Sequence, residues 1–318
     1  MDKVPFLVGP TASGKTAVAL HIAERFKAEI ISADSRQIYR GMPIGTAQPT
    51  ADELTRVPHH FIACLNPKET FSAGEYGRQA RGKIIELTRK GITPFVVGGS
   101  GLYISALVDD FFSGPSADHK IRDRLKILAD KEGVAKLYSD LKEVDPESAR
   151  KIMPTDYRRI ERALEIFYVT GIPISELQRK KANPPPYSPV MVGLDWHREQ
   201  LYERINSRCL KMLEEGLVDE VEKLIAGKSI SGTDLLIEYN ALNSVGYVEI
   251  IGYLKREYDY DEMVRLFQRN TRRFAKRQIS WFGRNQRVSW VEIDANRPAE
   301  EAAELALDVL RKNGLFVD

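Results

Sequence analysis

The first hundred residues alternate short apolar runs with longer segments of helical periodicity. Residues 4–9, 29–34 and 93–99 are strand-like, whereas 16–26 and 76–91 repeat apolar positions at the spacing of a helix. Strand, helix and strand in this order imply right-handed crossovers and therefore a parallel sheet. The pattern predicts an α/β fold in which a parallel sheet is flanked by helices.

Parallel sheets of this kind bind ligands beyond the carboxyl ends of their strands. In this sequence those ends carry Gly9 to Thr16, Asp34 to Gln37 and Gly98 to Gly101. We therefore expect the chemistry of the protein to lie on these three loops.

A charged helical stretch from Asp118 to about Lys181 interrupts the alternation. Within it Asp145 is placed to cap one helix, and a second helix is predicted from a capping Thr155 to Gly171. The segment NPPPYSP that follows cannot lie inside a helix, so it indicates a linker that returns to the core.

These changes along the chain predict the domain boundaries. Residues 1–113 and 190–318 form the α/β core, in which VMVGLDW is a returning strand that precedes the C-terminal helices. Residues 114–189 form an all-helical insertion domain. Because the insertion leaves the core shortly after Ser100, we expect it to lie near the site.

Composition excludes several classes of protein. The chain has 318 residues, 43% of them hydrophobic, which is enough for a sizeable core, and its 47 Lys and Arg nearly balance 45 Asp and Glu. Its two cysteines, Cys64 and Cys209, lack the paired spacing of a disulfide framework or a zinc site. Neither a signal peptide nor a membrane-spanning run is evident. We expect a cytoplasmic monomer.

The first loop matches the P-loop pattern. Its residues are Gly9, Pro10, Thr11, Ala12, Ser13, Gly14, Lys15 and Thr16. In a P-loop the backbone N–H groups cradle phosphate, the Lys reaches terminal oxygens and the Thr hydroxyl ligates Mg²⁺. We therefore predict a phosphate site with Thr16 as metal ligand and Mg²⁺ as cofactor. The pattern leaves open which phosphate is bound.

The second loop narrows the chemistry. Asp34 stands where a P-loop NTPase could keep a carboxylate that organises Mg²⁺, but Ser35 and Gln37 follow at once. A carboxylate beside neutral donors and acceptors suits holding the edge of a base and accepting its proton. The alternative is that Asp34 only caps a turn.

The third loop presents Ser100 between Gly99 and Gly101, which permit close approach of the backbone. No acidic residue stands there to complete a second Walker-type acidic pair. This weakens the interpretation as an ordinary ATPase.

Basic residues gather on one face of a predicted C-terminal helix, opposite an apolar face. They are Arg265, Arg269, Arg272, Arg273 and Lys276. No acid occurs between Met263 and Val291, so the stripe predicts a track for nucleic-acid phosphates. A second basic set also shares one helix face and could turn inward to the bound phosphate. It comprises Arg204, Arg208 and Lys211.

Ordered blocks along nearly the whole chain resemble one family. They are GPTASGKT, DSRQIYRGMPIGTA, VPHHFI, VVGGSGLYISAL, DYRRIERALEIFYVTG, RINSRCLKMLEEGL, VGY and RRFAKRQISWF. Their order is that of the tRNA dimethylallyltransferases, also called tRNA isopentenyltransferases. The resemblance implies a P-loop NTPase-like core whose loop grips the diphosphate of dimethylallyl diphosphate. It also implies transfer of the prenyl group to N6 of the adenine at tRNA position 37, beside the anticodon, with diphosphate released.

The resemblance also implies roles for individual residues. Asp34 resembles the general base on the adenine amine, and Arg208 resembles the arginine that stabilises diphosphate. Ser100, also assigned to catalysis, stands where relatives often have Thr, a departure that keeps the hydroxyl. The expected contacts with the tRNA anticodon stem-loop are Asp34, Ser35, Arg36, Gln37, Ser100, Arg122, Arg158, Arg162, Arg272, Arg273, Lys276 and Arg277.

Three other functions remain open from the residues alone. A small-molecule P-loop kinase would share residues 1–45 but would leave the basic stripe unexplained. A prenyltransferase acting on free adenine nucleotides would share the loop chemistry but would need no helical insertion. A non-catalytic RNA-binding ATPase is the option of a different class.

Overall fold

The computed structural model divides the chain into two compact units. It describes residues 1–109, 114–115, 117–179, 184–227, 235–236, 239–294 and 297–316. The core unit comprises Met1–Val108 and Pro185–Asp318, and the insertion unit comprises Asp109–Pro184. The boundaries between the two units, at residues 109 and 185, therefore each lie five residues before those expected at 114 and 190.

The core unit is built on a six-stranded parallel sheet. The strands are β1 (Asp2–Val8), β2 (Glu29–Ser32), β3 (His59–His60), β4 (Pro94–Gly98), β5 (Tyr187–Trp196) and β6 (Val288–Ile293). Their order across the sheet is β3-β2-β4-β1-β5-β6, and every neighbouring pair is parallel. The predicted parallel α/β core is confirmed.

Helices cover both faces of this sheet. In the core unit they are α1 (Lys15–Phe26), α2 (Pro43–Thr46), α3 (Ala51–Arg56), α4 (Ala73–Arg89), α5 (Gly101–Val108), α11 (Arg198–Glu214), α12 (Leu217–Ile225), α13 (Tyr247–Leu254), α14 (Tyr260–Phe282) and α15 (Ala299–Lys312). Leu7 and Phe95 face the cluster that contains α1, α11 and α15, whereas Phe6 and Val96 face α4 and α5. Strands buried on both faces explain the continuous apolar runs in the sequence.

The returning strand β5 begins earlier than the sequence suggested. It starts at Tyr187 and includes Pro189, which lies opposite Val4 of β1. The prolines before residue 190 were interpreted as linker, and for Tyr187–Pro189 this was wrong. Strand β6 pairs only from Met191 onwards, so the start of β5 has one side without a strand neighbour, where proline is tolerated.

The insertion unit is helical throughout its described elements. These are α6 (His119–Glu132), α7 (Val134–Val144), α8 (Pro146–Lys151), α9 (Tyr157–Thr170) and α10 (Ile174–Arg179). Leu125, Leu137 and Leu164 belong to an apolar core of its own. Asp145 caps α8 as predicted, but α9 is capped by Asp156, whose carboxylate accepts the Arg159 N–H, and not by Thr155.

No helix in the part of the chain that the structure describes is long and apolar enough to cross a membrane.

Candidate active site

The P-loop connects β1 to α1 at the carboxyl edge of the sheet. Gly14, at φ +86°, supplies the left-handed turn that starts α1, which an L side chain would strain. Two side chains of the core, one aromatic and one basic, form hydrogen bonds to the outside of this loop. The Trp196 indole donates to the Ser13 carbonyl (2.9 Å), and Arg204, stacked on Trp196, donates to the Ala12 carbonyl (3.0 Å).

Lys15 lies folded over this loop. Its ammonium donates to the Pro10 carbonyl (2.6 Å) and to the Ser13 hydroxyl (3.4 Å). Burial lowers the pKa of Lys15 to about 7, the nearby Asp34 carboxylate opposes this shift and Arg208 adds to it. A partly buried ammonium with a depressed pKa gains from an anionic ligand, so Lys15 is suited to receive phosphate oxygens.

Asp34 follows β2 and is held by the chain immediately after it. One carboxylate oxygen, Oδ1, accepts the N–H groups of Arg36 (2.8 Å) and Gln37 (3.3 Å). The Asp34 side chain therefore does cap its own turn, as in the alternative that the sequence left open. Its other oxygen, Oδ2, has no hydrogen bond to any described residue, and the side chain lines both cavities of the site.

Ser100 ties the third loop to the second. Its hydroxyl accepts the Ser35 N–H (2.9 Å) and donates to the Ser35 hydroxyl (3.2 Å), while its own N–H donates to the Ala33 carbonyl (3.1 Å). A Cβ on Gly98 would lie 2.2 Å from the Ala33 oxygen, which explains the glycine there. The loops of Asp34 and Ser100 are thus joined in one rigid edge.

Arg208 is the member of the second basic set that lines both cavities. It forms no hydrogen bond or ion pair with a described residue, and burial lowers its pKa, opposed by Asp34. Arg204 instead braces the P-loop, and the exposed Lys211 pairs with Glu215. Of the three basic residues of this set, Arg208 is therefore the one that turns inward to the site.

Two cavities meet at Asp34 and Arg208. The larger, of about 1030 Å³, contains Lys15 and Thr16 together with the rest of the P-loop from Thr11 onwards. The smaller, of about 240 Å³, is lined by both polar and apolar residues, and its apolar side chains are Ala12, Ile205, Cys209, Met212, Val245, Phe267 and Phe274. The site therefore offers a phosphate-binding side and an apolar side, with a carboxylate and a guanidinium between them.

Gln278 of α14 links the P-loop to the Ser100 loop, a contact that the sequence interpretation missed. Its Oε1 accepts the Thr11 N–H (2.8 Å) and its Nε2 donates to the Gly99 carbonyl (2.9 Å). Helical periodicity puts Gln278 on the face opposite the basic residues. The face is buried as predicted, but its amide holds two loops of the site.

Some basic side chains of α14 are already engaged by neighbouring residues, and others are not. Arg273 and Lys276 are exposed and form no hydrogen bond or ion pair with a described residue. Arg277 lies over the Phe274 ring at the smaller cavity. Arg272 donates to Asn206, and Arg265 pairs with Glu262 one turn earlier. Fewer side chains of the basic stripe are therefore available to phosphates than the sequence suggested.

Arg122 and Arg162, expected to contact tRNA, share a buried carboxylate inside the insertion unit. Glu165, fully buried, accepts both Arg122 donors (2.8 and 3.0 Å) and one from Arg162 (2.6 Å). Arg162 also donates to the Pro115 carbonyl. Arg158 by contrast is exposed, with no hydrogen bond to a described residue. In the sequence, Glu165 is one of many charged residues in a helical segment, and no local pattern indicates that it is buried.

Comparisons with known proteins agree with this arrangement. The IPP transferase family model matches residues 37–286. The chain belongs to the tRNA dimethylallyltransferase family. It is 42% identical to the tRNA dimethylallyltransferase of Caldanaerobacter subterraneus, over 97% of both chains, and 43% identical to that of Moorella thermoacetica, over 94% of this chain and 93% of the relative.

Solved structures show the same likeness. The tRNA isopentenylpyrophosphate transferase of Bacillus halodurans is 37% identical with a TM-score of 0.68, covering 99% of this chain and 98% of its own. A eukaryotic dimethylallyltransferase acting on tRNA is 25% identical with a TM-score of 0.84, covering 99% of this chain and 79% of its own. This family member is a prenyltransferase that transfers the dimethylallyl group to tRNA, on the P-loop NTPase-like fold of the family.

Proposed function

We propose that the donor is dimethylallyl diphosphate and the acceptor is N6 of the adenine at tRNA position 37, beside the anticodon. The observation that carries this proposal is the meeting of the phosphate-binding and apolar cavities at Asp34 and Arg208. Diphosphate would occupy the first cavity, and the reacting carbon would lie at the junction. The allylic carbon–oxygen bond breaks, a carbon–nitrogen bond forms, and diphosphate leaves.

Positive groups gather where the leaving group acquires charge. They are the Lys15 ammonium, the Arg208 guanidinium and the P-loop N–H groups at the start of α1. Preorganised donors of this kind stabilise developing negative charge without rearranging during the reaction. This side of the site needs no group that activates water.

The P-loop also suits Mg²⁺ as a cofactor. Thr16 has no hydrogen bond to a described residue through its hydroxyl, and it lines the cavity beside Lys15. No cluster of three acidic, His or Cys ligands occurs among the described residues, and Mg²⁺ typically relies on one or two protein oxygens plus substrate phosphates. Mg²⁺ would neutralise the diphosphate charge, with Thr16 as its protein ligand.

Asp34 is the proposed general base. The exocyclic amine becomes acidic as it bonds to carbon, and its proton then passes to Asp34 Oδ2, the oxygen without a described partner. Ser35 and Gln37 on the same turn hold the base edge, and Ser100 holds Ser35. Since N6 is unreachable in a stacked loop, the adenine must be flipped into the site.

Basic groups supply the proposed contacts to the anticodon stem-loop. On α14 these are Arg272, Arg273, Lys276 and Arg277, with Arg36 at the site and Arg122, Arg158 and Arg162 from the insertion. Arg273, Lys276 and Arg158 are the best supported because they are exposed and uncommitted among the described residues. We propose that the protein acts on tRNA in the cytoplasm as a monomer.

Transfer of label separates this proposal from its alternatives. Labelled dimethylallyl diphosphate is incubated with Mg²⁺ and either tRNA, AMP or no acceptor, and the label is followed into each product. We expect incorporation into tRNA alone. Prenylated AMP formed at the same rate would favour the free-nucleotide enzyme. In a separate reaction with labelled ATP and a metabolite in place of these substrates, phosphate transfer to the metabolite would favour the kinase.

A further inference from the structure

Glu220 of α12 is a buried carboxylate for which the proposed chemistry has no role. Its Oε2 accepts the Ile44 N–H (2.7 Å), and its Oε1 accepts the Gly45 N–H (3.0 Å) and the Tyr247 hydroxyl (2.5 Å). Only 7% of the residue is exposed. Three donors on a buried carboxylate fix its position firmly, because losing any of them would leave charge without compensation.

These contacts hold the short helix α2 in place. Helix α2 has only four residues and lacks a side-chain cap of its own, so it depends on contacts from outside. The Tyr247 ring fills the space beside Gly45, where an added Cβ would lie 2.6 Å from ring atoms. Burial, and next the charge of Glu220, raise the pKa of the Tyr247 phenol well above its ordinary range, which keeps its hydroxyl a donor.

Helix α2 in turn orients Gln37. The Gln37 Nε2 donates to the Ala47 carbonyl (2.7 Å) and weakly to the Thr46 carbonyl (3.4 Å), both at the end of this helix. Its Oε1 accepts the Ser32 hydroxyl (3.3 Å). The amide is therefore aimed by carbonyls whose positions depend on Glu220.

We propose that Glu220 is a positioning residue that acts through α2 to set the Gln37 amide against the edge of the target adenine. The inference rests on the proposed function, in which Gln37 holds that base. Displacement of α2 would turn the amide away from the base. It would leave the P-loop as it was, because neither Glu220 nor α2 forms a hydrogen bond to a described P-loop residue.

A double-mutant cycle between Glu220→Gln and Gln37→Ala tests this coupling. In the Gln variant the amide nitrogen would face one of the α2 N–H donors, so α2 is released without loss of volume. The Gln37 Nε2 already donates to two carbonyls, so the amide can add about one hydrogen bond to the adenine. Each single change should therefore lower kcat/KM for an anticodon stem-loop by about five- to tenfold, the value of one lost hydrogen bond. Because both act on one contact, the double variant should be within about threefold of the Gln37→Ala variant.

Matched measurements separate positioning from general destabilisation. Glu222→Gln changes an exposed carboxylate on the same helix and should leave transfer unchanged. Binding of inorganic diphosphate should stay within about twofold in the Glu220→Gln protein. If that protein fails to fold, Tyr247→Phe, which removes one donor and keeps the ring, replaces it in the cycle with a smaller loss expected.

The inference would be overturned if the fold-losses in kcat/KM of the two single variants multiplied in the double variant. It would also be overturned if the Glu220→Gln protein lost diphosphate binding as much as transfer. Failure of the parental enzyme to modify the stem-loop would instead overturn the proposed function itself. The two failures are therefore distinct.

Discussion

At the scale of single residues, Asp34 and Lys15 show how one small site separates two tasks. Asp34 uses one oxygen to fix its own turn and presents the other to the cavity, whereas Lys15 is folded onto its own loop in a setting that disfavours its charge. The first arrangement suits acceptance of a proton. The second suits capture of an anion.

Asp34→Asn should lower single-turnover prenyl transfer about 10²-fold or more, because the amide keeps the shape but cannot accept the adenine proton. Affinity for tRNA, measured by filter binding, should be nearly intact. Unchanged turnover would remove Asp34 from the mechanism.

Lys15 predicts proton uptake when diphosphate binds. With its pKa near 7 the free enzyme is mostly neutral at Lys15 above pH 8, and the bound anion restores the charge. Affinity for diphosphate should therefore fall as pH rises above about 7, by up to about tenfold per pH unit. Calorimetry in buffers of different ionisation enthalpy measures the uptake. Lys15→Arg, always charged, should bind without that extra proton, and equal uptake in both proteins would contradict the assignment.

The three loops of the site could be predicted from sequence because each depends on local pattern: glycine spacing, strand ends and a carboxylate beside a turn. The partners that hold them could not. Gln278 reaches Thr11 across 267 positions and Glu220 reaches Ile44 across 176, and no local rule selects these pairs. Glu165 was missed for the same reason.

At the scale of elements, α14 carries two functions on opposite faces. The buried face includes Gln278, which holds the P-loop and the Gly99 loop, and the exposed face carries Arg273 and Lys276. Periodicity predicted both faces. It could not predict that Arg265 and Arg272 are already engaged by Glu262 and Asn206.

Replacing both Arg273 and Lys276 with Ala should weaken tRNA binding and flatten its dependence on salt. Each lost phosphate contact reduces the slope of log K against log salt by about 0.7 to 0.9, so the pair should reduce it by about 1.4 to 1.8. Arg265→Ala, which removes a residue paired with Glu262, is the control and should change the slope little. Equal loss of diphosphate binding would show that the exposed face is structural.

At the scale of the whole molecule, the insertion unit has an apolar core of its own and a buried ionic cluster at Glu165. The unit was expected to contact tRNA through Arg122, Arg158 and Arg162, but two of these guanidinium groups are committed to Glu165. Any tRNA contact they make has to coexist with that pairing.

Arg122→Ala should lower the unfolding free energy by about 1–3 kcal/mol, because it leaves a buried carboxylate short of two donors. Arg158→Ala should leave thermal unfolding unchanged and weaken tRNA binding. Differential scanning calorimetry and filter binding on both variants check this division. The opposite pattern would mean that Arg122 serves tRNA and Arg158 the fold.

The central claim is that the phosphate gripped by the P-loop is a leaving group. It is tested most directly by counting products in one single-turnover reaction of enzyme, Mg²⁺, dimethylallyl diphosphate and tRNA. The account predicts one diphosphate released for each N6-dimethylallyladenosine recovered by nucleoside mass spectrometry, all of it at the position beside the anticodon. Diphosphate released without modified adenine, or modification that requires ATP hydrolysis, would contradict it.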